Sequence, residues 1–195
     1  IASSEELGRR LAINPEQIRK DLAFFGQFGK KGVGYYVAEL KESIGGILGL
    51  DHHWNVAIVG MGHLGAALAN YQGIARLGFH LAAIFDVNPV VIGTRVGERR
   101  VEDIAYLAEI IAERDIQIGV IAVPAIHAQG IADKLVGAGI RGIWNFAPVN
   151  LHVPPHIPFV SEDLSVGLSS LSYYLTHTTG EGDNLSERFK ESLIK

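Results

Sequence analysis

Residues 54–86 read WNVAIVGMGHLGAALANYQGIARLGFHLAAIFD, and this stretch decides the fold. Val56-Ala57-Ile58-Val59 is a short, β-branched apolar run, which suits a strand buried on both faces of a parallel sheet. Gly60-Met61-Gly62-His63-Leu64-Gly65 follows with GxGxxG spacing. The first glycine allows a tight turn, the second lets a pyrophosphate approach the backbone, and the third lets a helix pack on the strand. The helix N-terminus then offers free N–H groups and a partial positive charge to phosphates. A second strand, Leu81-Ala82-Ala83-Ile84-Phe85, ends in Asp86. A carboxylate there accepts hydrogen bonds from an adenosine ribose diol and repels a 2′-phosphate, which favours NAD(H) over NADP(H). The competing reading is a glycine turn in a doubly wound sheet that holds no ligand.

Working outward, the alternation of strands and helices continues. Val87-Asn88-Pro89 is a turn, and a helix is expected over 101–114, with Ile104, Leu107, Ile110 and Ile111 on one side. A continuous apolar strand over 118–123 ends at Pro124, a helix follows over 125–137, and a further strand spans 142–146. This β-α-β-α order predicts an open, parallel, doubly wound sheet, with ligands lying across the carboxyl ends of the strands. Val123, Pro124 and Asn145 fall at those ends. Asn145 either bonds a cofactor amide or ribose, or caps its own turn.

A dehydrogenase needs a proton donor beside the nicotinamide. His127 is the candidate nearest a strand end, without an obvious orienting acid, and His80 precedes a strand at the wrong end. A dinucleotide site without such a set points to binding as the function itself.

The chain has 195 residues, 48% of them hydrophobic, and no cysteine, so disulfides and thiolate metal sites are excluded. No apolar run approaches the ~18 residues of a membrane span. A cytoplasmic protein is expected. The net charge of −4 is uneven: residues 1–50 carry seven Lys/Arg against six Asp/Glu, the remainder ten against fifteen. A polyanion partner therefore belongs with the N-terminal part.

There, Ser3 and Glu6 have capping-box spacing, Asn14 caps a second helix with Pro15 at its first position, and Gly26 ends it. Ile18, Leu22 and Phe25 share a face, leaving Arg19 and Lys20 outside it. Two short helices with a tight turn make helix-turn-helix geometry, or an ordinary helical hairpin with a basic face. Phe28-Gly29-Lys30-Lys31-Gly32-Val33-Gly34, leading into a β-like run, has the makings of a basic wing that reaches phosphates. A helix over 37–50 and the linker Asp51-His52-His53 follow. Adjacent histidines there point only weakly to a metal.

Toward the C-terminus, Leu164, Leu168, Leu171 and Leu175 form a narrow stripe on a helix over 163–176, opened by the acid Asp163. So apolar a helix needs burial on its own domain or in a partner subunit. The tail beyond is polar, with a short helix expected over 185–193.

Taken together, IRKDLAFFGQFGKKGVGYYV (18–37), VAIVGMGHLG (56–65), AAIFDVNP (82–89), IAVP (121–124), GIWNFAP (142–148) and SEDLSVGLSSLSYYL (161–175) resemble the Rex redox-sensing transcriptional repressors of bacteria. The resemblance covers nearly the whole chain. It implies a homodimer that binds operator DNA when NAD⁺ prevails and releases it when NADH rises. It also implies four parts: a winged helix over 1–50, a Rossmann domain over 51–160, a domain-swapped C-terminal helix over 161–177 and a polar tail over 178–195. By motif, Arg19 and Lys20 fall on the recognition helix; Lys30, Lys31, Gly32 and Gly34 fall in the wing. Gly60, Met61, Gly62, His63, Leu64 and Gly65 fall on the pyrophosphate, and Asp86 and Val87 at the adenosine ribose. Tyr71 is implied near the nicotinamide, in the switch. Asp163 and Leu164 are implied at the start of the swapped helix, which reaches the partner's cofactor. His63 departs from the Arg or Asn frequent in relatives. Residue 1 falls where the family's first helix is already under way, so that helix is expected to be missing, together with a basic partner for Asp163. The alternatives are an NAD-dependent oxidoreductase and a CoA- or nucleotide-binding subunit.

Overall fold

The computed structural model describes residues 1–30 and 32–177. Lys31, the polar tail and the helix expected over 185–193 lie outside the described residues. The described residues divide into two compact units, one of residues from 1–51 together with 173–177, the other of residues 52–172.

In the first unit, α1 (Ser4–Leu11) and α2 (Pro15–Phe25) are capped by the residues the sequence nominates. Ser3 Oγ accepts from Glu6 N at 3.1 Å, and Asn14 Oδ1 accepts from Glu16 N at 2.8 Å. Ala12 closes α1 in the left-handed conformation (φ 54°). Ile18 is buried, but Phe25 is 56% exposed and Phe24 84%, so the shared face of α2 narrows to Ile18 and part of Leu22. The expected β-like run after the glycines is a minimal ladder. Lys30 bridges Gly34 across a tight turn, Tyr35 pairs with Ala2, and the chain enters α3 (Val37–Ile47) at once. Gly34 (φ +105°) lies against the Ala2 carbonyl, where a Cβ would stand 2.6 Å from that oxygen.

The second unit is a seven-stranded, Rossmann-like sheet in the order β3-β4-β2-β1-β5-β6-β7, parallel except for the β3–β4 pair. Its strands are β1 (Trp54–Val59), β2 (Phe79–Asp86), β3 (Arg95–Val96), β4 (Arg99–Asp103), β5 (Ile118–Ile121), β6 (Gly142–Asn145) and β7 (Phe159–Ser161). Between β1 and β2 the chain forms two helices, α4 (His63–Ala69) and α5 (Gln72–Arg76), not the single one the opening stretch suggests. The break falls at Asn70-Tyr71, where the α4 hydrogen-bonding ends and Tyr71 is extended. The helix expected over 101–114 is also corrected. Val101 belongs to β4, whose Val101, Glu102 and Asp103 pair with Ile84, Phe85 and Asp86. Asp103 then caps a short 3₁₀ turn (Ile104–Tyr106) through Ala105 N at 2.8 Å, and α6 (Leu107–Glu113) follows. The apolar spacing of 104, 107, 110 and 111 is real, but pairing with β2 overrides helical propensity at its start.

The connecting helices pack on both faces of the sheet. Ala57, Val59, Phe85, Ile121 and Ile143 form one core with α6 and α7 (Ala125–Gly137). The alternate residues Val56, Ile58 and Val120 pack against Leu68 and Ala69 of α4, with Trp144 and Phe146 beyond. This second face carries an apolar cavity of about 600 Å³. The helix α8 (Ser165–His177) has no buried residue; Leu164, Leu168, Leu171 and Leu175 are 66, 71, 55 and 79% exposed. No helix among the described residues is long and apolar enough to cross a membrane.

Candidate functional site

The chain leaves β1 toward β2 on one side and returns with β5 on the other, so β1/β5 is the topological switch point. A cavity of about 480 Å³ opens there, lined by Val59, Gly60, Gly62, Asp86, Val87, Ala122, Val123 and Pro124 at the strand ends. Two of the three motif glycines are constrained by their neighbours. Gly60 has φ +101°, and a Cβ on it would stand 2.5 Å from the Ala122 carbonyl oxygen. A Cβ on buried Gly65 would run into the Gly60 carbonyl. A Cβ on Gly62 meets nothing within 4 Å, because Gly62 faces open space at the cavity wall. Gly62 is the N-cap of α4, followed by exposed His63 and half-buried Leu64.

Asp86 ties the site together. Its Oδ2 accepts from Met61 N at 2.6 Å and its Oδ1 from Asn88 N at 2.8 Å. The carboxylate therefore braces the glycine turn from the neighbouring strand, with lone pairs left over for a ligand's hydroxyls.

Four residues expected at the site lie outside the strand-end cavity. Asn145 is fully buried. Its Nδ2 donates to the Ala147 carbonyl (2.9 Å) and Ser161 Oγ (3.0 Å), and its Oδ1 accepts from Ala147 N (3.0 Å). Of its two possible roles the structure shows the turn cap, and with no exposed surface Asn145 cannot touch a ligand directly. Tyr71 is 65% exposed and borders the apolar cavity on the sheet face, not the strand-end cavity. The α4–α5 break turns it that way. Asp163 and Leu164 are exposed and line neither cavity. Asp163 Oδ1 instead caps α8, accepting from Ser165 N at 2.8 Å and Ser165 Oγ at 2.6 Å. Hydrogen bonds from the Ser165 side chain and backbone hold its carboxyl below the ordinary aspartate value.

Apart from His127, weighed as a proton donor, the sequence reading missed the far wall. Ile126, His127, Gly130, Ile131 and Lys134 of α7, with Ile104, complete the cavity. Residues 127, 130, 131 and 134 are spaced i, i+3, i+4, i+7, so one stripe of α7 faces the cavity. Glycine and lysine within that stripe were the available signal.

In the first unit the basic side chains are partly engaged. Arg19 Nη1 donates to Ser4 Oγ at 2.7 Å and lies 3.4 Å from Glu5 Oε1, while Lys20 pairs with Glu16 at 3.1 Å. Glu5 is held below the usual carboxylate range by backbone and Ser3 hydrogen bonds, helped by Arg19. Lys30 sits at the hairpin tip over the Tyr36 ring, with Gly32 in the left-handed region and open around its Cα.

A parallel sheet with a glycine turn, a strand-terminal carboxylate and a cavity at its switch point defines a Rossmann-type nucleotide-binding protein. Residues 51–149 match the model of the CoA binding domain family. The "redox-sensing transcriptional repressor Rex" of Chloroflexus aurantiacus is 48% identical over 173 residues, 89% of this chain and 82% of that protein. That of Clostridium perfringens is 45% identical over 175 residues, 90% and 82% of the two chains. Among solved structures, RSP with β-NAD⁺ and operator DNA has a TM-score of 0.85 at 40% identity, covering 100% of this chain and 86% of that one. RSP with β-NADH has a TM-score of 0.80 at 39% identity, covering 97% and 85%. The chain belongs to the Rex family.

Proposed function

We propose that the chain is a redox-sensing transcriptional repressor that binds operator DNA and lets it go when NADH replaces NAD⁺ in its Rossmann unit. One observation carries the reading: the strand-end cavity joins a glycine turn to the strand-terminal carboxylate Asp86, in a chain 48% identical to a Rex repressor. Gly60, Met61, Gly62, His63, Leu64 and Gly65 would hold the pyrophosphate, Asp86 and Val87 the adenosine ribose, and Val123 and Pro124 the floor. The dinucleotide supplies the redox-dependent charge, since oxidised nicotinamide is cationic and reduced nicotinamide neutral. The protein's task is to favour different arrangements in the two cases, which requires differential affinity.

Residues 1–50 would act as a winged helix, with Arg19 and Lys20 on the recognition helix and Lys30, Lys31, Gly32 and Gly34 in the wing. The exposed Leu164-Leu168-Leu171-Leu175 stripe and the apolar cavity on the sheet face support a homodimer through the C-terminal helix. Asp163, Leu164 and Tyr71 would then complete the switch only in the dimer. The protein would work in the cytoplasm, at its operator.

The test is operator binding across NADH/NAD⁺ ratios. NADH is expected to bind more tightly than NAD⁺ and to lower operator affinity; superimposable titrations with the two cofactors would refute this. His127 on the cavity wall is the observation that favours an oxidoreductase. Steady NADH consumption with a carbonyl substrate would establish that reading instead.

A further inference from the structure

The net charge of the second unit conceals how its charges are distributed. Residues 52–172 carry seven Lys/Arg against ten Asp/Glu. Yet all six arginines, Arg76, Arg95, Arg99, Arg100, Arg114 and Arg141, lie toward the end of the sheet where β1 and β2 begin. Glu98, Glu113 and Asp115 share that end, whereas Asp86, Asp103, Glu162 and Asp163 stand at the opposite one. The basic end is also where residues 1–51 are joined, through the segment before Trp54. We propose that the β3–β4 hairpin is a second DNA contact, with Arg95 and Arg100 gripping the phosphodiester backbone of the bound duplex. This rests on reading the chain as an operator-binding repressor.

The hairpin is the edge of the sheet, and Arg95 and Arg100 are register partners across it. Their side chains therefore leave the same face side by side, and like charges directly opposite one another destabilise a ladder. No carboxylate relieves them: Arg95, Arg99 and Arg100 make no ion pair among the described residues, whereas Arg10, Arg19, Lys20 and Arg114 each have one. Both guanidiniums are held instead by uncharged acceptors of the hairpin itself. Arg95 Nε donates to the Gly97 carbonyl at 2.9 Å, and Arg100 Nη1 to the Gly93 carbonyl at 2.8 Å. Each keeps its full charge and several of its five N–H donors, and each is exposed. On the other face Arg99 braces the hairpin, donating from Nε to the Leu81 carbonyl at 3.1 Å, with Nη2 2.7 Å from His80 Nε2. A phosphate set between Arg95 and Arg100 would remove their repulsion and accept charge-assisted hydrogen bonds from side chains already ordered. A phosphodiester chain supplies such groups at regular spacing, which suits a hairpin presenting two cations in a fixed pair.

The experiment measures binding of the full chain to a fluorescein-labelled duplex, selected by the wild type from a random-sequence pool, over a series of salt concentrations. Each phosphate contact adds about 0.9 to the slope of log affinity against log salt. The double variant Arg95→Gln/Arg100→Gln should therefore lower the slope by about 2 for each protomer bound. It should weaken the selected duplex and a mixed-sequence duplex alike, and leave NADH affinity and Tm as in the wild type. An unchanged slope in a folded variant overturns the proposal, whatever else the hairpin binds. If the double variant melts early, a second measurement decides. The chain has no cysteine, so Glu98→Cys at the hairpin turn carries an iron–EDTA label at that point alone. Cleavage of the bound duplex from that label is expected, and an uncut duplex overturns the proposal. A wild type that selects no duplex would sink the proposed function as well; duplex binding with an unchanged slope would sink this inference alone.

Discussion

Gly62→Ala separates ligand binding from folding, and its effect can be worked from the turn. Gly62 has φ −72° and ψ −170°, a conformation alanine adopts freely. Its added Cβ meets no protein atom within 4 Å. Losing a glycine N-cap costs about 0.5–1 kcal/mol, and the stiffer unfolded chain returns a similar ~0.4–1 kcal/mol. Stability without ligand should therefore stay within about 1 kcal/mol of wild type. The methyl group, however, projects from the cavity wall where a pyrophosphate must approach the backbone. Losing one charge-assisted hydrogen bond of about 1.5–3 kcal/mol weakens NADH roughly 10- to 100-fold. At 100 times the wild-type Kd, NADH stabilises the wild type by about 2.7 kcal/mol, and a 100-fold weaker variant by only about 0.4 kcal/mol. Thermal melts with and without NADH, and a fluorescence titration, read both quantities. Gly65→Ala is the contrast, since its Cβ would strike the Gly60 carbonyl and lower Tm even without ligand. A Gly62→Ala protein that binds NADH like wild type would refute the assignment of this turn to the pyrophosphate.

Arg19→Ala should weaken operator binding by about 1–3 kcal/mol if the guanidinium reaches a base edge. Ser4→Ala removes the 2.7 Å tether and leaves the cation, so gel shifts of both variants separate contact from positioning; an unchanged shift for Arg19→Ala argues against either role. Arg114 joins Glu102 at 2.6 Å in a half-buried pair and also donates to the Ala82 carbonyl at 2.9 Å. Arg114→Ala should cost about 2–3 kcal/mol and lower Tm by roughly 5–10 °C, because it strands a partly buried carboxylate. The Asp163 carboxyl titrates below its ordinary value of 3.8, so its cap on α8 is fully present above that pH and lost as pH falls through the depressed value. Protection of the Ser165 amide, its exchange rate relative to the intrinsic rate at the same pH, should fall over that acid range in the wild type and be absent already at neutral pH in Asp163→Ala.

What could be read from sequence was whatever local chemistry dictates. Asn14-Pro15, Ser3 and Gly26 delimit their helices without help from distant residues, and the bounds of α7 are as expected. The β4 strand was illegible because RRVED has no apolar alternation strong enough to announce it; it is a strand only because Ile84, Phe85 and Asp86 lie alongside. The cavity wall on α7 was illegible for a related reason. Gly130 and Lys134 are the only hints in 125–137 that the His127-Gly130-Ile131-Lys134 stripe faces a gap rather than the sheet, and two residues on one stripe are too few to decide it.

The sequence by itself determined the caps of α1 and α2, the glycine turn and the acid that ends β2, since these depend on backbone conformation and on residue types at short spacing. Tertiary structure decided the rest. It spent Asn145 on its own turn, turned Tyr71 onto the apolar face, and linked Asp86 to Met61 N and Asn88 N across two loops. Hydrogen-bond partners and side-chain exposure follow from which strands become neighbours, and residues 61 and 86 meet only when β1 and β2 pair.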